Sequence, residues 1–529
     1  MKGRIAVIVL GCFFSLIVMS RRPGTFVTPQ FYAEDGAGFF QDAHNDGFFA
    51  SILRPTAGYL NTVPRLIAGA ALLAPLRLAP LVVAALALLV QMLPVFYLLG
   101  DRAAVLIPTW SGRVAAAAIY AVLPNADEIY VNATNTQWHL TLVTALLLLL
   151  PPPAGRVART AELLLLAAAA LTGPGSLLLL PVAFLLLRAD CRNPWQRALT
   201  AVVTAGALVQ LVLLVASQRV SAATIPGVGA LTPRELAALL ANHAFYSPLL
   251  GVARIGRLYE KFGLFHHVLA LIGLALLAAV ALRFRERLVL VLGYLALATV
   301  TLSLFFPSND LHGWLQPRYG TRYYFYATLC IAAIAAHLVA RRGGWRLLGV
   351  AVAAPMLTCA VPADFFLWTW QDTAYRDQVA HFQSLPPGAR LFIETLPEGW
   401  GMFLVRKPGE TPRPSPIASV PLETRHARGT LAPVDQNPAG SFIRVRGTAR
   451  DPVSGGRAGG VLVIIDDRLF PANYGRAWHW GPADPDETAY QRLVPVSEIG
   501  PGLHQLSVLV FSPDRRRLFR LERDMKFTL

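Results

Sequence analysis

Near the start of the chain stands Phe31-Tyr32-Ala33-Glu34-Asp35-Gly36-Ala37-Gly38-Phe39-Phe40, two adjacent carboxylates framed by aromatic rings just beyond an apolar segment. Acids so close to hydrocarbon are costly to hold. One kept there would have a raised pKa and could take a proton from a hydroxyl as a general base. A plainer role also fits, because Asp35 is a normal helix N-capping residue. The same loop carries His44, Asp46, Arg54-Pro55 and Gly58-Tyr59-Leu60.

A second concentration runs from Asn125 through Asp127, Glu128, Tyr130, Asn132, Asn135, Thr136, Gln137 and Trp138 to His139. Amides pair with diols and an indole face stacks on a pyranose, so the segment is suited to sugar contacts. Interfacial anchoring by Trp138 and Tyr130 is the alternative. A third runs from Pro307 to Tyr324, with Arg318, Arg322, Trp314, Tyr319, Tyr323 and Tyr324. Its arginines precede an apolar run on the side that basic residues avoid, so they need a reason. A lipid phosphate supplies one, since guanidinium forks match phosphate oxygens; headgroup snorkelling supplies another. Arg54 and Arg65 are weaker candidates of the same kind. Thr172-Gly173-Pro174-Gly175 reads as a tight turn between short helices.

The elements that must position these residues follow from composition. Of 529 residues, 55% are hydrophobic and 15% charged, with a mean hydropathy of +0.49. Soluble domains run nearer a quarter charged, so the chain is expected to be a mainly α polytopic membrane protein. The net charge of +16 is explained by basic loops beside apolar spans. Without a zinc-finger spacing, P-loop or basic aromatic repeat, no nucleic-acid partner is expected. Cys12, Cys191, Cys330 and Cys359 are not spaced for a metal or a disulfide framework.

Apolar runs predict a first span over Ile5–Met19 and others over about 79–99, 114–127, 138–151, 160–172, 175–188, 197–217, 264–283, 286–306, 322–340 and 345–363. The total is about eleven transmembrane helices. With a cytoplasmic N-terminus, Arg102/Arg113, Arg156/Arg159, Arg188/Arg192/Arg197, Arg283/Arg285/Arg287 and Arg341/Arg342/Arg346 all fall inside. That parity requires 60–76 to lie on the outer surface as an interfacial helix. Loop 20–60, the second and third concentrations and everything after about 364 then face outward.

Beyond this membrane domain, 1–363, the text changes in kind. Residues 364–407 read as a helix (Tyr375–Gln383) and a strand (Arg390–Thr395) after Pro386-Pro387-Gly388. A proline-rich linker, 408–440, follows. Residues 441–529 carry β-like runs at Ser441–Arg446, Val461–Ile465, Leu493–Val496, Gln505–Phe511 and near Leu518–Leu529, suited to a small extracytoplasmic β-sandwich.

The three outer segments, in this order, resemble the GT-C class of membrane glycosyltransferases over residues 1 to about 405. The resemblance lies in Tyr32-Ala33-Glu34-Asp35-Gly36, Gly58-Tyr59-Leu60 with Pro64-Arg65-Leu66, Asn132 with Asn135-Thr136-Gln137-Trp138, and Arg318-Tyr319 with Arg322-Tyr323-Tyr324. These motifs look like those of bacterial members with poorly defined substrates. The resemblance implies a polyprenyl-phosphate-linked sugar donor and a glycan or glycolipid acceptor, at the outer face of a bacterial inner membrane. It implies Asp35 as the base, with Glu34 second, because this chain has two adjacent acids where the class has one. It gives the donor phosphate to Arg318 and Arg322 with Arg54 or Arg65, and the sugars to Asn132, Asn135, Gln137, Trp138, His139, Tyr59 and Tyr323. No metal or cofactor is implied, since arginines alone can neutralise a monophosphate. The β-domain resembles carbohydrate-binding appendages. Two other classes compete: a transporter or flippase for lipid-linked sugars, and a non-catalytic envelope-assembly protein. Neither accounts as well for polar residues concentrated on one face without an internal repeat.

Overall fold

A computed structural model describes residues 2–217, 229, 231–258, 261, 263–305, 311–316, 318–367, 369–414, 417, 419–437, 439–476 and 487–529. Residues 218–228, 230, 259, 260 and 262, and 307–310 and 317 of the third concentration, lie outside the described residues. Among the described residues seven helices are long and apolar enough to cross a membrane, which makes this a multi-pass membrane protein: Gly3–Arg21, Leu76–Leu99, Pro194–Ala216, Leu264–Phe284, Arg287–Phe305, Thr321–Val339 and Gly344–Asp364. These match seven of the eleven expected spans. The other four are the helices Trp110–Ala121, Thr136–Leu149, Arg156–Ala170 and Gly175–Ala189, of 12, 14, 15 and 15 residues. At 1.5 Å per residue these reach only about 18–22 Å, short of a hydrocarbon core of about 30 Å. Pro124, Pro151-Pro152-Pro153 and Pro174 punctuate this stretch. The positive-inside parity counted each of the four as a crossing. The segment expected at 60–76 holds a ten-residue helix, Thr62–Ala71.

Two compact units divide the chain. The first comprises Met1–Arg22, Leu53–Pro64 and Ala85–Trp368. At its centre Thr136–Leu149 is buried along nearly its whole length, with Leu93–Leu99, Arg156–Ala170, Gly175–Ala189 and Arg287–Phe305 packed around it. It is a core helix inside protein, which explains why an apolar run this short can be stable. Arg21 ends the first span at 1% exposure. Its guanidinium donates to the carbonyls of Phe365 (3.1 Å), Ala121 (3.2 Å), Leu123 (2.8 Å) and Asp364 (3.2 Å), and lies 5.1 Å from the Tyr130 ring centre. The Asp364 carboxylate accepts the backbone N–H groups of Asn125 (3.0 Å), Val252 (2.9 Å) and Ala253 (3.1 Å).

The second unit comprises Pro23–Ile52, Arg65–Ala84 and Thr369–Leu529. After the helix Tyr375–Ser384, a hairpin pairs β1 (Arg390–Thr395) with β2 (Trp400–Val405). Nine further strands follow: β3 (Leu422–Leu431), β4 (Asp435–Gln436), β5 (Phe442–Arg450), β6 (Gly460–Ile465), β7 (Arg468–Tyr474), β8 (Ala489–Pro495), β9 (Leu503–Phe511), β10 (Leu518–Leu521) and β11 (Met525–Thr528). Seven of them run β10-β3-β5-β8-β7-β6-β9, and β9 returns to β10. The expected sandwich is therefore a closed seven-stranded barrel. Closure leaves the ring without an open edge, where a sandwich would keep four. The ring shuts through a parallel β3–β10 pair, while the other pairings are antiparallel. Val445, Val463, Ile465, Val494, Leu506, Val508 and Val510 fill the interior. The stretch 408–440 is more than a linker, for it supplies β3 and β4; Pro421 and Pro433 flank β3 and leave its ladder intact.

Arg492, on β8 and 1% exposed, donates to Gln378 Oε1 (2.6 Å) and to the Phe392 carbonyl (2.8 Å), with Glu394 Oε1 3.9 Å away. Glu498 accepts the Phe392 N–H at 2.9 Å. Burial pushes the Glu394 carboxyl above its usual 4.5, against the pull of Arg492, and does the same to Glu498. A carboxyl raised in the folded state holds its proton longer there than in the unfolded chain. Its contribution to stability is complete below pH 4.5 and is lost as pH climbs through the raised value. Glu394→Gln should therefore flatten the decline in thermal stability measured from pH 4.5 upward. A decline as steep as in the wild type would show that Glu394 does not contribute.

Candidate functional site

The first unit brings the second and third concentrations together. Asn125–Asn135 is an irregular turn with Asn125 at φ +54° and Val131 at φ +63°. For a β-branched residue that conformation costs about 1–3 kcal/mol and must be held by its surroundings. Gln91, fully buried, does the holding: its Oε1 accepts the Val131 N–H (2.7 Å) and its Nε2 donates to the carbonyls of Ile129 (3.2 Å) and Asn132 (2.8 Å).

Three of the expected sugar-binding side chains are spent on this turn. Asn132 Nδ2 donates to the Glu128 and Tyr130 carbonyls, and its Oδ1 accepts from Asn135 N and Nδ2. Asn135 Nδ2 also donates to the Glu128 carbonyl, and its Oδ1 accepts from Trp138 Nε1. His139 is fully buried, between the Tyr120 hydroxyl and the Ile129 carbonyl. The bonding capacity that suited these residues to a diol instead folds the backbone. Gln137 lies against Gly173, where an added Cβ would stand 2.1 Å from Gln137 Oε1, and Gly175 crowds Thr141 Oγ1 at 2.0 Å. The Thr172-Gly173-Pro174-Gly175 turn thus needs its glycines, Gly173 also for its φ of +72°.

Arg318 and Arg322 find carboxylates. Arg318 Nη1 donates to Asp127 Oδ2 at 2.7 Å and Arg322 Nη1 to Glu128 Oε2 at 3.0 Å. The Arg318 and Arg322 side chains are 22% and 21% exposed, so both are within reach of solvent. Arg322 lies over the Tyr323 ring (4.8 Å), Trp314 stacks on that ring (4.7 Å between centres) and Trp138 meets it edge-on (5.5 Å). Asp127 and Glu128 are the ion-pair partners of these arginines, which sequence reasoning did not assign. The available signal was charge balance: two acids in one polar segment and two bases in another. Tyr59 closes a tight turn with Thr56, and Arg54 is exposed just before it, on a segment tied to Gln210 and Thr172 through Leu60 and Val63.

The acidic loop belongs to the second unit. Phe31, Phe39 and Phe40 are each at most 2% exposed, and Phe31 packs on Phe40 (4.7 Å) and edge-on against Tyr375 (5.7 Å). The Phe31 carbonyl accepts the Leu396 N–H at 2.9 Å, Ala33 turns the chain at φ +43°, and a π-helix, Asp35–Phe40, begins. Such π-turns recur at functional sites. Glu34 occupies the N-cap position and makes no side-chain cap, so Asp35 is not the capping residue. Asp35 is 3% exposed and Glu34 partly exposed. Gly36 has no room for a side chain: a Cβ would stand 2.8 Å from Thr395 and 2.9 Å from Phe31. Arg65, 1% exposed, pairs with Asp42 at 3.1 Å and faces the Phe39 ring at 5.5 Å. It braces the loop from inside. His44 meets the Val405 carbonyl at 3.2 Å, and burial lowers its pKa.

Among the described residues no three His, Cys, Asp or Glu side chains gather as a metal site. Compared with known protein families and with curated proteins, the chain has no match.

Proposed function

We propose that this chain is a membrane glycosyltransferase of the GT-C kind. It would move a sugar from a polyprenyl-phosphate donor to a hydroxyl of a glycan or glycolipid, at the outer face of a bacterial inner membrane. The carrying observation is the grouping of Arg318 and Arg322 with the Trp138 and Tyr323 rings, a pairing of guanidinium and aromatic face that suits a phosphate-linked sugar. In this reading the arginines hold the charge that develops on the leaving phosphate, and Asp127 and Glu128 keep their guanidinium planes in position. The resemblance to the GT-C class assigns the acceptor proton to Asp35, with Glu34 as the second candidate.

The test is a mass spectrum of envelope glycans from wild-type, deletion and variant strains matched for protein level. The Arg318→Gln/Arg322→Gln variant should lower transfer about 10²–10³-fold, as removal of charge-stabilising donors does. Asp127→Asn/Glu128→Gln should lower it far less. Equal losses in both variants would make the four residues a structural clasp and remove the arginines from the chemistry. A second reading draws on the same ion pairs, because two bridges joining separated segments also suit the gate of a lipid-linked-sugar transporter. Lipid-linked precursor accumulating in the deletion, with transfer intact in its membrane extracts, would favour it.

A further inference from the structure

In the second unit a cavity of about 270 Å³ opens beside the barrel, with Arg376, Arg457, Arg515, Asp372, Asp377 and Tyr474 in its wall. Three guanidiniums and two carboxylates leave 3 − 2 = +1 of formal charge. Arg515, 41% exposed, donates to Asp377 Oδ2 at 2.8 Å and lies 4.5 Å over the Phe511 ring. Arg457 lies over the Tyr474 ring at 5.6 Å and donates to the Tyr474 carbonyl at 3.4 Å. Its place is kept open by Gly475, where a Cβ would stand 2.4 Å from Arg457 Nη2. Asp372 Oδ1 accepts the Ala374 N–H at 2.9 Å, and burial raises its carboxyl. The segment carrying Asp372 is fixed by Gln30, whose Nε2 donates to the Gln371 carbonyl (2.7 Å) and whose Oε1 accepts from Thr373 N (2.9 Å) and Oγ1 (2.8 Å).

We propose that this cavity binds a carboxylate-bearing monosaccharide unit, a uronate within a glycan. Guanidinium forks on separate walls match a carboxylate, and aspartates between them accept hydrogen bonds from ring hydroxyls. The volume lies at the small end of ligand sites and fits one ring better than a chain. Inorganic phosphate would meet the same arginines but face both aspartates with few donors to offer. A neutral sugar would leave the excess positive charge unanswered. The cavity lies within the second unit, and the inference does not rest on the transferase reading.

The test is calorimetric titration of the purified full chain with the methyl glycosides of galacturonic and glucuronic acid, their neutral counterparts, and inorganic phosphate. One of the uronides should bind at least about tenfold more tightly than its neutral counterpart and than phosphate. Arg515→Gln should weaken that binding about tenfold or more, Arg515→Lys less. Arg457→Gln is the second variant should Arg515→Gln fail to fold, with thermal unfolding as the control for both. Equal affinity for charged and neutral sugars, phosphate binding as tightly, no uronide binding, or an unchanged affinity in a folded arginine variant would each overturn the assignment.

Discussion

Asp35→Asn, inserted at the wild-type level, is expected to lower sugar transfer about 10²–10⁴-fold, the range for losing a positioned general base. The substitution keeps the side chain's shape and one of its oxygens, so the packing around Phe31, Phe39 and Phe40 should persist. What it removes is the capacity to take a proton. Glu34→Gln is the matched comparison. Glu34 is partly exposed and Asp35 almost wholly buried, so of the two only the Asp35 carboxylate is withdrawn from bulk solvent. Glu34→Gln should therefore change transfer less than about tenfold. The envelope-glycan spectrum reads both. Full transfer by Asp35→Asn at normal protein level would remove Asp35 from the chemistry, and a large loss in Glu34→Gln alone would move the role one residue back.

The second large effect concerns stability. Arg21→Met keeps much of the side chain's bulk but leaves the Phe365, Ala121, Leu123 and Asp364 carbonyls without their shared donor. Removing one member of a buried charged cluster typically costs about 3–5 kcal/mol. The detergent-solubilised chain should then unfold roughly 5–10 °C below the wild type. Arg21→Lys should recover only part of this, because an ammonium is a point donor and cannot serve four carbonyls from a planar fork. An Arg21→Met protein that melts with the wild type would show that these carbonyls find water or new partners.

Local pattern carried much of the architecture. The strand expected at Arg390–Thr395 is β1, and the runs at Ser441–Arg446, Val461–Ile465, Leu493–Val496 and Gln505–Phe511 fall on or beside β5, β6, β8 and β9. β3 was not legible because Leu422–Leu431 is charged and buries only Ala427 and Leu431. β7 was hidden by Pro471 at its centre. Barrel and sandwich differ by which strand meets Leu422, and the answer, Leu518, lies far along the chain. The helix count exceeds the seven long apolar helices of the described residues for a related reason. An apolar run of 14 residues at Thr136–Leu149 looks the same whether lipid or protein surrounds it. At the site, sequence marked the segments that carry the polar residues and left the contacts among them open. Asn132 and Asn135 suit a sugar and suit a turn equally, and only the geometry says that the turn takes them. The arginines advertised a need for negative charge, which Asp127 and Glu128 partly meet.

The parallel seam between β3 and β10 carries a consequence for biogenesis. The first strand of the ring cannot be covered until the chain has been delivered as far as Leu518–Leu521. A polypeptide stalled or clipped before that point would display the backbone of Leu422–Leu431 along one side, an adhesive edge that holdases and proteases recognise. The ring thus closes only when one pair of strands far apart in the chain has met.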